Sequence, residues 1–247
     1  MKISSARVPE SDLIPIIRSG FLGSMPSDVN YSQYQVVPEF RSQYGIPDLV
    51  FYNFDANAVD QRIKNSVEPI LSREIIKTLL LISGKDSVTL SYLESNLGVS
   101  RDVLKSTVLR YLIINNYLNV SNCDPDTYWI GDNVYKSCMD SVLSIEAKVS
   151  DWQRGFYQAY RYKWFSNFSF LILHSDFVKP AISKLALFEQ YNVGLMSVST
   201  EGKSIEVLYK PRKEKPYSEE IAALTYEKLF SNYCRERQLP KQHSHSS

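Results

Sequence analysis

Val142-Leu-Ser-Ile-Glu-Ala-Lys-Val149 alternates apolar and polar side chains with a period of two, which predicts a β-strand. Leu143, Ile145, Ala147 and Val149 fall on one face, toward a core, while Ser144, Glu146 and Lys148 stand side by side on the other. A carboxylate and an ammonium two residues apart on one strand face read, on their own, as an ion pair. The surroundings of the strand give them a second reading.

Beyond the strand the pattern alternates helix and strand. A helix is expected over 151–164, a strand over 168–173 and a helix over 178–191. A strand pair, 193–198 and 204–209, turns at Thr200-Glu-Gly-Lys203, and a last helix runs over 218–232. Residues 239–247 read as a disordered tail. At the other end, 10–22 reads as a short amphipathic helix capped by Ser11, with Gly23 and Pro26 marking its exit. Two apolar segments, 34–40 and 46–54, read as a hairpin around Arg41-Ser-Gln-Tyr-Gly45.

The texture changes near Ser66. Helices are expected over 72–83, over 90–97 between Thr89 and Gly98, and over 101–115 after Ser100. A short hairpin, 117–121 and 127–130, then turns at Asn122-Cys-Asp-Pro-Asp126. The resulting division is a discontinuous α/β core, 1–65 with 136–238, interrupted by a small unit at 66–135.

Composition sets limits on partners and compartment. The 247 residues are 44% hydrophobic and 22% charged, with a net charge of +1, so a nucleic-acid contact has to come from local basic patches. Cys123, Cys138 and Cys234 are scattered and two of the three histidines lie in the polar tail, which argues against a disulfide framework or a zinc cluster. The longest apolar run, Leu79-Leu-Leu-Ile82, is far short of the ~20 residues that span a bilayer. The chain start has no apolar core of a signal peptide. A soluble, intracellular (cytoplasmic) protein without membrane contact is expected.

Two resemblances follow from these residues. Thr89-Leu-Ser-Tyr-Leu-Glu-Ser-Asn-Leu-Gly-Val-Ser-Arg-Asp-Val-Leu-Lys-Ser-Thr-Val108, with its Gly-Val-Ser turn, is similar to the core of a winged helix-turn-helix, three helices followed by a short hairpin. Pro47-Asp48, then Glu146-Ala-Lys148, then a helix bearing Gln158 resemble the PD-(D/E)xK nuclease superfamily. The run Ser144-Ile-Glu-Ala-Lys-Val-Ser-Asp-Trp-Gln-Arg-Gly-Phe-Tyr-Gln-Ala-Tyr-Arg-Tyr162 is especially close to its restriction-endonuclease-like branch. This likeness covers about 8–55 and 140–232. It implies an α/β fold with a mixed central sheet flanked by helices, here with the winged helix inserted.

The resemblance also implies a chemistry, hydrolysis of DNA phosphodiesters. Asp48, Glu146, the backbone carbonyl of Ala147 and, from the first helix, Glu10 would hold Mg²⁺, or Mn²⁺ in its place. Lys148 would orient the attacking water or stabilise charge in the transition state, and Gln158 would touch phosphate or support the ligands. Gln153 is a weaker case of the same kind, and Glu39 is expected to face solvent or pair with Arg41. Arg101, Lys105, Ser106 and Arg110 would face the major groove of double-stranded DNA, with Arg154 and Arg161 on phosphates near the site. A homodimer is expected, because cutting both strands takes two sites.

Several alternatives stay open at this point. A second Pro-Asp, Pro125-Asp126, lies closer in sequence to Glu146 than Asp48 does, although it sits in a loop-like turn rather than at the head of an apolar strand. Residues 72–132 carry six basic against seven acidic side chains, a poor balance for DNA binding, so the winged helix could serve protein contact or dimerisation instead. The whole chain could be a non-catalytic DNA-binding protein that keeps a nuclease-like fold, or a nuclease acting on RNA.

Overall fold

The computed structural model describes residues 8–25 and 33–237; Pro26 and the expected tail, 239–247, lie outside the described residues. In chain order α1 (Glu10–Ser24) leads to the hairpin of β1 (Gln35–Pro38) and β2 (Leu49–Phe54). Next come α2 (Ala56–Lys64), α3 (Arg73–Ile82), β3 (Ser87–Thr89), α4 (Leu90–Leu97), α5 (Arg101–Val103), α6 (Arg110–Ile114), β4 (Leu118–Val120) and β5 (Thr127–Ile130). The chain continues through β6 (Met139–Lys148), α7 (Trp152–Tyr162), β7 (Phe168–His174), α8 (Lys179–Ile182) and α9 (Leu185–Tyr191). It ends with β8 (Gly194–Ser199), β9 (Ser204–Tyr209) and α10 (Glu219–Glu236). Among the described residues no helix is long and apolar enough to cross a membrane.

Contacts divide the chain into two compact units, one drawing on the chain up to Asp55 and on Met139–Glu219, the other on Ala56–Cys138 and the chain from Glu220 onward. The borders thus fall outside the expected 66–135, and α10 goes with the second unit rather than with the α/β core. Two things hid this. The α2 helix has too few large apolar residues to announce itself, and nothing local in α10 tells which core its Ala223 and Leu224 join.

The first unit is a mixed α/β sandwich. Its six-stranded sheet runs β1-β2-β6-β7-β8-β9, parallel between β6, β7 and β8 and antiparallel at both edges. On one face Leu13, Ile17 and Phe21 of α1 bury against Phe51, Leu143, Ile145 and Phe170. On the other, Phe156 and Ala159 of α7 and Phe188 of α9 bury against Leu171, Leu173 and Leu195. The β6 strand is therefore covered on both faces, not one. The Ser144–Glu146 side, expected to face away from a core, lies in the interior, with Ser144 fully buried and Glu146 only 2% exposed.

Local signals set the helix ends with mixed success. Asp151 caps α7 by accepting from the Arg154 amide at 3.1 Å, and Ser72 and Thr89 cap α3 and α4 the same way. Gly98 closes α4 in the left-handed conformation, φ 66°. Ser11, by contrast, is not a cap. Pro9 occupies that position without a side-chain hydrogen bond, and the acidic Glu10 and Asp12 complement the free amides of the first turn. Ser100 likewise makes no capping bond. The expected helix over 178–191 is two short ones, α8 and α9, after a 3₁₀ turn at Ser175–Phe177.

The second unit packs helices against a three-stranded antiparallel sheet, β3-β5-β4. Its core gathers Ile76, Leu79, Leu90, Leu93, Leu104, Val108, Leu112 and Leu118. The single α-helix expected over 101–115 instead contains a π-helical stretch at Leu104–Leu109 between α5 and α6. The wider turn keeps Leu104, Val108, Leu109 and Leu112 all buried.

Candidate functional site

The β2–β6 ladder brings the two halves of the site together. Leu49 pairs with Ile145 in antiparallel register, so Asp48, one residue earlier, comes opposite Glu146, one residue later. The Asp48 Oδ2 accepts a 2.7 Å hydrogen bond from the Ala147 amide. The competing Asp126 belongs to the second unit, where Arg101 and Lys105 both pair with it.

Around Lys148 the oxygens converge. Its Nζ lies 2.8 Å from Glu146 Oε1, 3.2 Å from the Ala147 carbonyl and 3.3 Å from Glu10 Oε2. The other Glu146 oxygen accepts from the Tyr162 hydroxyl at 2.6 Å. Tyr162 is thus a candidate site residue that the sequence pattern does not mark. The available signal was its place four residues after Gln158 on the helix that covers β6.

That helix approaches closely because residue 155 is glycine. A Cβ there would stand 2.5 Å from Leu171 Cδ1 and 3.0 Å from Lys148 Cγ. Gly155, Gln158 and Tyr162 follow at helical spacing, so Gln158 lies on the stripe running from Lys148 to Glu146. Its Oε1 is buried and has no hydrogen-bond partner among the described residues. An acceptor left empty in such a place is costly unless a ligand or water meets it.

Burial, first of all, raises both carboxylates above their ordinary range. For Asp48 the Ala147 amide and Lys148 counteract this and Glu10 and Glu39 add to it. For Glu146 the pull of Lys148 and Tyr162 falls short of burial and of the Asp48 charge. Burial presses on Lys148 too, but Glu146, Glu10 and Asp48 outweigh it and hold the ammonium above its usual value. Lys148 is therefore a firm cation here, suited to electrostatic stabilisation rather than to taking a proton.

A group whose carboxyl pKa is higher folded than unfolded subtracts stability once ionised in both states, and the loss fades as pH falls through the folded value. Asp48→Asn keeps the acceptor for the Ala147 amide and removes one such charge. In EDTA the variant is expected to melt above wild type at neutral pH, with the gap closing toward about pH 4. Mg²⁺ should raise the melting temperature of wild type and not of the variant. Equal melting in EDTA and an equal response to Mg²⁺ would remove Asp48 from the site.

The donor set fits a hard divalent cation, being all oxygen: Asp48 and Glu146 carboxylates, the Ala147 carbonyl and Glu10. Among the described residues no three acidic, histidine or cysteine side chains converge tightly enough to hold a metal as they stand. The point on which the Glu146, Ala147 and Glu10 oxygens converge is held by the Lys148 ammonium.

The remaining expected residues are spread differently. Arg154 and Arg161 are exposed on α7 and make no ion pair among the described residues, and Gln153 and Glu39 face solvent. In the second unit Arg110 is exposed, but Arg101 and Lys105 are bound to Asp126, and Ser106 Oγ donates back to the Asp102 carbonyl at 2.6 Å. The cysteines are all free, with Cys138 buried beside Arg62 and its thiol pushed up to about 12 by burial. No protein-family model matches the chain, and no curated protein matches it.

Proposed function

We propose that the six-stranded unit is a metal-dependent DNA endonuclease core of the restriction-endonuclease-like, PD-(D/E)xK kind. The observation that supports it best is the ring of Glu146, Ala147 and Glu10 oxygens around the Lys148 ammonium, with Asp48 across the ladder from Glu146. Those are the oxygens that would hold Mg²⁺ or Mn²⁺. Bound there, the ion would supply a Lewis acid and a water of lowered pKa. Asp48 and Glu146 would anchor it, Tyr162 would hold the Glu146 carboxylate in place, and Lys148 would turn from the carboxylates toward the phosphate. Gln158, with its unfilled acceptor, would orient the water or a ligand beside it.

The second unit, on this reading, is a winged helix-turn-helix that brings the enzyme to double-stranded DNA, and the working form is a cytoplasmic homodimer. The test is plasmid nicking by purified protein with Mg²⁺ or Mn²⁺. Absence of cleavage across metals and across supercoiled, linear and nicked DNA would leave the non-catalytic DNA-binding reading in its place.

The pairing of Asp126 with Arg101 and Lys105 favours a protein-contact role for the helical unit, since two of its cations are already neutralised. Exposed pairs of this sort are weak, however, and phosphates can replace the carboxylate. Asp126→Asn is therefore expected to tighten duplex DNA binding several-fold and to steepen its salt dependence, read by fluorescence anisotropy over a salt series. Unchanged affinity at every salt concentration would assign the unit to protein contact.

A further inference from the structure

The loop between β1 and β2 carries an aromatic pair that the metal site does not use. Ser42 closes the loop: its amide and Oγ both donate to the Gly45 carbonyl, at 3.1 and 2.7 Å, and its Oγ accepts from the Tyr44 amide at 3.2 Å. Gly45 has a φ of +131°, open to glycine, and a Cβ there would come 3.0 Å from Tyr162 Cε1 and 3.7 Å from the Tyr162 hydroxyl. The loop thus rests on the ring that holds Glu146. One residue away, Tyr44 stacks on Trp164 with centroids 4.7 Å apart and planes 6° from parallel.

Three features make this pair more than a closure for the loop. Both rings are partly exposed, and Trp164 is the only ring neighbour of Tyr44 among the described residues. Arg41, in the same loop, and Arg161, whose Nη2 is 3.7 Å from the Gly45 Cβ position, are exposed and make no ion pair among the described residues. The whole arrangement lies one residue from the ring that touches the candidate catalytic carboxylate. A partly exposed aromatic pair flanked by exposed guanidinium groups suits a base with its phosphates. A base inside a duplex has both faces covered by its neighbours and cannot use such a platform; an unpaired one can.

We propose that Tyr44 and Trp164 form a stacking platform for an unpaired DNA base, with Arg41 and Arg161 on the flanking phosphates, so that the strand entering the site is locally single-stranded. This rests on the nuclease reading, and makes frayed ends, flaps or melted segments the preferred substrate. The test is anisotropy binding of a labelled single-stranded oligonucleotide and of its duplex, in EDTA so that no cleavage intervenes. The full chain is compared with Tyr44→Ala and Tyr44→Phe, each checked for unchanged melting temperature. Wild type is expected to bind the single strand as well as the duplex, Tyr44→Ala to lower the single-strand to duplex affinity ratio about tenfold, and Tyr44→Phe to restore it. A ratio that Tyr44→Ala leaves unchanged, or a wild type that does not bind the single strand, overturns the platform. Plasmid nicking measured separately distinguishes the two ideas: cleavage with an unchanged ratio sinks only the platform, and a Tyr44-dependent ratio without cleavage sinks only the nuclease.

Discussion

Glu146→Gln is expected to lower Mg²⁺-dependent plasmid nicking by about 10³-fold or more while the protein stays folded. Glutamine is close in shape and its carbonyl can still accept from the Tyr162 hydroxyl, so the burial of position 146 is preserved. What it loses is the charge that would anchor a divalent cation and that now faces Lys148 at 2.8 Å. Lys148 keeps Glu10 and the Ala147 carbonyl as partners, which limits the structural damage. Lys148→Ala should abolish nicking too, but at a structural cost, because it leaves a carboxylate that is 2% exposed with a neutral tyrosine as its remaining side-chain partner. A Glu146→Gln protein that retains even a tenth of wild-type nicking would take the carboxylate out of the chemistry.

The largest effect on stability is expected elsewhere, at Arg62. This guanidinium in α2 grips Glu227 of α10 with both Nη atoms, at 2.6 and 3.0 Å, and gives a further bond to the Glu68 carbonyl at 2.9 Å. The Glu227 carboxylate also accepts from the Ile70 amide at 2.8 Å and the Tyr135 hydroxyl at 3.1 Å, and Phe230 lies under the guanidinium at 4.5 Å. With side-chain exposures of 9% and 1%, the pair is screened little by water. Arg62→Met strands a buried carboxylate and should destabilise the second unit by about 3–5 kcal/mol, whereas the double change Arg62→Met, Glu227→Leu should recover most of that. Trp129 lies in the second unit and Trp152 and Trp164 in the first, so denaturation followed by tryptophan fluorescence in a Trp152→Phe, Trp164→Phe background reports on the second unit. If the single and double variants unfold at the same denaturant concentration, the two charges are not coupled.

These two predictions mark what the sequence made legible. That Glu146 and Lys148 share one face of one strand could be read because alternation along a strand is a short-range property, and the cap at Thr89 and the stop at Gly98 are shorter-range still. Asp48 could be chosen over Asp126 from the apolar strand that follows it, and the β2–β6 register gives that choice its geometry. The Arg62–Glu227 pair joins residues far apart in the chain, through two helices whose own patterns do not say what they pack on, so no local reading could find it. The same limit misplaced the borders of the second unit. It also hid β3, a three-residue strand defined by its neighbour β5 rather than by its own residues. Tyr162 falls between these cases: its helix was visible, but only the fold shows its hydroxyl turned onto Glu146.

The long excursion between β2 and β6 has a further consequence, for the order of assembly. The strands β6, β7 and β8 are joined by nearby helices and can pair soon after they are made, but β2 must wait for the whole segment Ala56–Cys138 before it meets β6, where Phe54 pairs with Met139. Asp48 and Glu146 stand opposite each other only once that ladder closes. A nascent or half-folded chain therefore carries the acids of the site without their alignment, and whatever reactivity the site has is withheld until that ladder closes.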